Sequence, residues 1–433
     1  MEQAPNWSKS ALESRLRCYR YRHEIRVLVR QSRTRMELRE IPVEQLTFGM
    51  FISKLDRPWT ETPFAFQGFV LKKEKQLEVL KKYCKHVFVD PEKEDVQEVG
   101  KVTAEDVAKV RGTTVYKEMA SVEVELPGAR KAFTNTTVVV RELSRAVEIG
   151  SSIDSSRAHE AAAQITESVV RNPDAMALLI KLQEKSGATL SRAVEISVMM
   201  TIFGRFLQLP QDRLEILGML GLLQDVGKLK LPTELAARGP TNEAEMELYQ
   251  THVNHSVRIL SSTAGIPPEL PGLASLHHER FDGSGYPRGL RGDAIAFSGL
   301  IAGIVDTFDT LTAPKPFGGN LSPANALSVI YKGRGKQFHP ALVEQFIQCI
   351  GVFPVGSVVE LNSGEVAIVI AQNMVRRMQP RIMVVRDAKG NPLTPYKMLD
   401  LMKEPKVRPD EPYRIQRSLE YDSVKIDPRE LFL

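Results

Sequence analysis

Residues 214–223 read Leu-Glu-Ile-Leu-Gly-Met-Leu-Gly-Leu-Leu, apolar on nearly every side of a helix, and run directly into Gln224-Asp225-Val226-Gly227. A helix with no polar face has nothing to offer water and has to lie in a core, so the chain must wrap other elements around it. Gly227 predicts a left-handed cap at its C-terminal end, with Pro232 just beyond. Asp225 is then a carboxylate carried into the interior, which is costly unless a cation or several donors meet it.

The helical pattern extends over 134–353. Beyond it, 354–400 changes character. Runs at Ser357–Leu361, Val366–Ala371 and Ile382–Val385 are rich in β-branched residues and are separated by Asn362-Ser363-Gly364 and Gly390-Asn391-Pro392, predicting a small antiparallel β subdomain. Ahead of the helices, residues 36–92 predict a small α+β domain. Its strands are expected at Ile41–Val43, Gly49–Ile52 and His86–Asp90, with a helix over Lys73–Tyr83. Residues 93–133 are charged, lack sustained periodicity and contain Pro127-Gly128, which predicts a linker. Residues 401–433 predict a polar tail. The fold class expected is therefore mainly α, a helical bundle flanked by two small β-containing units.

Residues 1–35 form a basic arm, and within 15–35 Arg15, Arg17, Arg20, Arg22, Arg26, Arg30, Arg33 and Arg35 meet a single Glu24. It reads as a solvated tail, or as an extension ahead of a start at Met36. The arm carries much of the net charge of +5, leaving the rest close to neutral, so no general nucleic-acid binding is expected. Cys18, Cys84 and Cys349 are few and scattered, which argues against disulfides and thiolate zinc sites and suits a cytoplasmic protein. No run is long and apolar enough for a membrane span.

Four of the eight histidines, His252, His255, His277 and His278, fall in one short window. Imidazole is the commonest ligand of divalent iron, manganese and zinc. Asp306 and Asp309 lie three residues apart, on one face of an otherwise apolar helix. Asp225, His252, His277, His278 and Asp306 come from four successive helical elements, and a bundle gathers such side chains into one inward-facing site. This mixed oxygen and nitrogen set suits iron or manganese, with zinc as a further option, better than calcium.

These segments are similar to the HD-GYP subgroup of the HD phosphohydrolase superfamily. The carrying residues are Leu223-Gln224-Asp225-Val226-Gly227-Lys228, Thr251-His252, His277-His278-Glu279-Arg280-Phe281-Asp282-Gly283-Ser284-Gly285-Tyr286-Pro287-Arg288-Gly289-Leu290, Asp306-Thr307-Phe308-Asp309, Lys315-Pro316-Phe317 and Phe338-His339-Pro340. The stretch from Pro58-Trp59 to Phe69, with Tyr83-Cys84 and Val87–Asp90, also resembles the uncharacterised domain that often precedes HD-GYP domains. The resemblance implies a metal-dependent phosphodiesterase acting on cyclic di-GMP through two or three ions. It implies metal ligands at Asp225, His252, His277, His278 and Asp306, and a catalytic role for Asp225 and Lys228. Substrate contacts fall on Lys228, Arg288 and Lys315. The loop of Asp282, Gly283, Gly285, Tyr286 and Pro287 is associated in that family with docking to diguanylate cyclase domains of the GGDEF type.

The chain departs from the pattern at the metal. The histidine of the family's His-Asp pair is Gln224 here, and a further histidine on an earlier helix is Leu190, followed by Ser191. Both serve the same ion, so the expectation is one ion or none. His255, on the same face as His252, reads as solvated. His339 stands where the family has an aspartate and is expected to cap the next helix poorly. Lys315 replaces an arginine and loses its bidentate fork. The function expected is a module that binds cyclic di-GMP or a protein partner, with weak or no hydrolysis. The alternative is an active phosphodiesterase giving linear pGpG or GMP. The oligomeric state is left open.

Overall fold

The computed structural model describes residues 39–47, 50–57, 62, 64, 68–71, 74–89, 102–182, 188–313, 321–373 and 376–419. The basic arm, Trp59, Lys315 and Phe317 lie outside the described residues. Two compact units are present, one spanning Val99–Cys349 and the other made of Arg30–Glu98 and Ile350–Leu433.

In the second unit, strands β1 (Arg39–Pro42), β2 (Phe51–Leu55), β3 (Phe69–Val70) and β4 (His86–Val89) form an antiparallel sheet in the order β1-β4-β2-β3. Helix α1 (Glu74–Tyr83) contributes Leu80 to a core with Ile52, Leu55, Val87 and Val89. Alternate residues of β4 point inward, as its period of two requires.

The helical unit begins earlier than the sequence suggests. Helix α2 (Ala104–Val110) is closed by a capping box between Thr103 and Asp106. Helix α3 then runs over Val122–Glu148 with Pro127 inside it. The expected linker at 93–133 is thus corrected over these two helices. Val122, Leu126, Ala129, Phe133, Thr136, Val140, Leu143 and Val147 recur every three or four residues and are buried. That apolar stripe outweighs the single hydrogen bond removed by the proline. Buried Glu125 of α3 receives Ser168 Oγ (2.7 Å) and both Nε and NH2 of Arg171 (2.7 and 3.0 Å).

Helices α4 (Ser155–Arg171), α5 (Pro173–Leu182), α6 (Ala188–Phe206) and α7 (Gln211–Leu223) complete the first half of the bundle. The all-apolar α7 is buried as expected; each of Leu214, Leu217, Leu220, Leu222 and Leu223 lies in the core, at about 1.5–3 kcal/mol apiece. Helices α8 (Thr233–Arg238), α9 (Glu243–Ser261), α10 (Leu270–Ala274), α11 (Phe297–Thr312), α12 (Pro323–Lys332) and α13 (Pro340–Ile350) follow. Phe203 of α6 meets Phe346 of α13 edge-on at 5.0 Å, and Phe308 of α11 meets the same ring at 5.3 Å.

After the helices, β5 (Val358–Leu361), β6 (Val366–Ala371), β7 (Arg381–Arg386) and β8 (Pro392–Asp400) form the expected antiparallel sheet. The polar tail expected over 401–433 is corrected over 401–419, the rest lying outside the described residues. Strands β9 (Lys406–Arg408) and β10 (Glu411–Pro412) pair with each other, and β11 (Ile415–Leu419) adds to the sheet beside β5. Between Lys406 and Leu419 only Tyr413 and Ile415 are buried. An edge strand with one apolar anchor shows no alternation to read. Among the described residues, no helix is long and apolar enough to cross a membrane.

Candidate metal centre

Helix α7 ends at Leu223, and Asp225 leaves it with φ −100° and ψ 7° to start a 3-10 turn over Val226–Lys230. The expected left-handed cap at Gly227 is corrected, since Gly227 is not among the glycines with positive φ. Its need for a missing side chain is steric. A Cβ there would lie 2.0 Å from His252 O and 2.4 Å from Ser256 N, and Gly227 N donates to Ser256 Oγ at 2.9 Å. This backbone approach sets the turn against α9 and brings Asp225 beside His252.

Asp225, His252, His277 and His278 each present a ligand atom within 4.8 Å of the others. Asp225 Oδ1 is 3.4 Å from Nε2 of both His252 and His277. Two tautomers follow from backbone contacts. Nδ1 of His252 bonds to Tyr249 O, and Nδ1 of His277 to Ala274 O at 2.8 Å. A carbonyl only accepts, so each Nδ1 carries the proton and each Nε2 turns a lone pair to the cluster. Nε2 of all three histidines and Oδ1 of Asp225 are buried with no hydrogen-bond partner. Leaving so many polar atoms unmet costs roughly 1–3 kcal/mol each, and one divalent cation would satisfy them together. The residues present therefore fit a metal ion.

Electrostatics favour the same state. Burial works against ionised Asp225, but the Lys228 ammonium outweighs it and holds the carboxyl well below the usual range. Lys228 Nζ lies 2.5 Å from Asp225 Oδ2. Burial lowers His252, and it lowers His278 further with help from neighbouring positive groups. Both rings stay neutral, as ligation requires.

The loop after His278 is packed onto the site. Tyr286 stacks on the His278 ring at 4.6 Å and 25°, and its N donates to His278 O at 3.1 Å. A Cβ on Gly285 would sit 2.3 Å from His278 O. Asp282 Oδ1 accepts from Ser284 N at 2.9 Å, and Gly283 takes φ 77°. The Tyr286-Pro287 bond is cis. Buried Glu279 accepts from Arg288 N (2.8 Å) and Leu290 N (2.9 Å), while Arg280 donates to His277 O (3.1 Å). Sequence reasoning missed the roles of Glu279 and Arg280. Their only signal was two charges following the histidine pair.

Of the remaining expected residues, Asp306 comes to the cluster, with Oδ2 3.8 Å from His278 Nδ1 and Oδ1 buried and unmet. Arg288 is exposed, and its guanidinium meets Ser275 Oγ at 3.3 Å rather than the quartet. His255 is half-buried and outside the quartet. His339 Nδ1 accepts a long 3.4 Å bond from Leu342 N, the weak cap expected of it. Gln224 is fully buried with neither amide atom paired. Leu190 is on the backbone of α6. Asp309 does not join its neighbour Asp306 at the cluster but pairs with Arg192 at 2.7 Å.

Residues 38–158 match a domain of unknown function, DUF3391; residues 174–342 match an HD domain; residues 358–410 match a KOW domain associated with HD domains. A cyclic di-GMP phosphodiesterase, PA4108, of Pseudomonas aeruginosa is 29% identical over 84% of this chain and 89% of its own. The cyclic di-GMP phosphodiesterase response regulator RpfG of Xanthomonas campestris is 30% identical over 39% of this chain and 45% of its own. Among solved structures, Bd1817, an HDG"Y"P protein from Bdellovibrio bacteriovorus, aligns over 72% of this chain and 98% of its own with 13% identity and a TM-score of 0.44. Matched domains, their order and relatives agree with the loop and the histidine cluster: the chain carries an HD domain behind a DUF3391 domain, is similar to cyclic di-GMP phosphodiesterases in line with the HD-GYP resemblance, and has Gln224 ahead of Asp225.

Proposed function

We propose that this protein binds cyclic di-GMP at a centre holding a single divalent ion and hydrolyses it weakly or not at all. The relatives it matches include cyclic di-GMP phosphodiesterases. The observation that carries the reading is the asymmetry of the site. One cluster of four donors is gathered within 4.8 Å with its ligand atoms unmet, while the positions of a neighbouring ion's histidines hold Gln224 and Leu190.

Asp225, His252, His277 and His278 would hold the ion, which supplies positive charge for a phosphodiester oxygen. Lys228 neutralises the far oxygen of Asp225 and keeps the carboxylate ionised. Tyr286 covers one face of His278 and limits water there. Hydrolysis needs more positive charge in the transition state than in the bound state. Missing a second ion costs several kcal/mol, and each 1.4 kcal/mol is about tenfold in rate.

The test is metal content by mass spectrometry, with binding and hydrolysis of cyclic di-GMP measured in added Mn or Fe(II). One ion with binding and no product is expected. A protein with neither ion nor nucleotide would overturn the reading. A second reading, an active phosphodiesterase, draws on the unmet Oδ1 of Asp306 and Oε1 of Gln224, two oxygens available to another ion; two ions with turnover would establish it. In the first reading, Leu190→His combined with Gln224→His raises both the ion count and the hydrolysis rate.

A further inference from the structure

Arg192 lies on α6, two residues beyond Leu190, in a helix that is otherwise largely apolar. Its Nε donates to Asp309 Oδ2 at 2.7 Å and its NH2 to Thr310 Oγ1 at 2.9 Å. Only 20% of the side chain is exposed. A guanidinium has five N–H donors, and these two bonds leave the others without a protein partner among the described residues. Asp309 is one helical turn past Asp306, so both project from one side of α11. Asp306 in turn borders the quartet through His278. The acids of the centre reach Arg192 electrostatically as well. Burial opposes its charge, but Asp309, Asp306 and Asp225 more than compensate and hold it firmly protonated.

Charge balance gives this placement a meaning. The named groups are four carboxylates, Asp225, Asp306, Asp309 and Glu279, and three fixed cations, Lys228, Arg192 and Arg280. With neutral imidazoles they sum to one negative charge, and one divalent ion turns that into one positive, a match for a single phosphodiester. A second divalent ion would leave an excess that neutral Gln224 does nothing to offset. We propose that Arg192 is the second cation of this centre, standing in for a metal ion and binding a phosphodiester oxygen of the nucleotide. The inference rests on the cyclic di-GMP reading above and names the side chain that completes it. Asp309 and Thr310 hold two corners of the fork, so the remaining donors meet phosphate at little further entropic cost.

The test uses the full chain loaded with Mn. Arg192→Gln should keep the ion and the wild-type melting temperature within a few degrees, and weaken cyclic di-GMP binding about 10- to 100-fold, the range for a charged hydrogen bond. Arg192→Lys should recover part of the loss, since it restores charge without the fork. A folded, metal-loaded Arg192→Gln protein with unchanged nucleotide affinity overturns the proposal. If Arg192→Gln fails to fold because Asp309 is left buried and unpaired, Thr310→Val frees the fork's second anchor while leaving the ion pair. It should weaken binding several-fold, and unchanged affinity again overturns the idea. If the wild type binds no cyclic di-GMP, the functional reading fails by itself, and inorganic phosphate becomes the probe. Phosphate binding that Arg192→Gln abolishes sustains a second-cation role; phosphate binding equal in both proteins, or absent from both, ends it.

Discussion

At His278 the ring is fixed from two sides, by Tyr286 stacked on its face and by Asp306 near Nδ1. Burial puts both His252 and His278 below the ordinary imidazole value of 6.5. The folded chain therefore leaves neutral two rings that the unfolded chain protonates, and unfolding takes up protons. Stability from these rings is complete above the unfolded imidazole value and falls as the pH drops below it. The melting temperature of metal-free protein should be flat above about pH 6.5 and decline toward about pH 5. In a His278→Gln variant that decline should be shallower; equal slopes would remove His278 from the account. Gly285→Ala tests the backbone approach at the same ring. With a Cβ 2.3 Å from His278 O and 2.4 Å from Arg280 N, the loop has to shift. A loss of about 1–3 kcal/mol is expected, together with reduced metal occupancy, measured by denaturant titration and metal analysis.

Among the elements, α3 shows how a local signal loses to a longer one. Pro127-Gly128 has the composition of a break, yet the residues buried from Val122 to Val147 keep helical spacing straight through it. The exposed proline still removes a hydrogen bond in the second turn. Pro127→Ala should raise stability by about 1–3 kcal/mol, seen as a higher melting temperature. A lower one would mean that the ring has packing value on the surface it occupies. Strand β11 was hidden for the opposite reason. Its pairing with β5 depends on backbone hydrogen bonds and on an ion pair from Arg417 to Glu360 at 2.6 Å, and neither leaves a hydrophobic pattern in the sequence.

For the molecule as a whole, metal and stability should be linked, because the quartet draws on three separate segments of the helical unit. Loading with Mn at 100 times its dissociation constant should stabilise that unit by about 2.7 kcal/mol. Chelation should lower the melting temperature correspondingly, and Asp225→Asn should abolish the difference between loaded and chelated protein. The ligand types and the loop were legible in the sequence, since buried acids, paired histidines and a Gly-Tyr-Pro turn are local features with few other uses. The helical class was legible too, because a helix apolar on all sides leaves one kind of place to go. Tertiary structure alone decided that Gly227 serves close packing against α9, that Arg280 braces His277 through its carbonyl, and that Asp309 turns to Arg192 while Asp306 turns to His278. Two carboxylates three residues apart on one helix carry the same sequence signal, and only the neighbours supplied by other helices assign them to different partners.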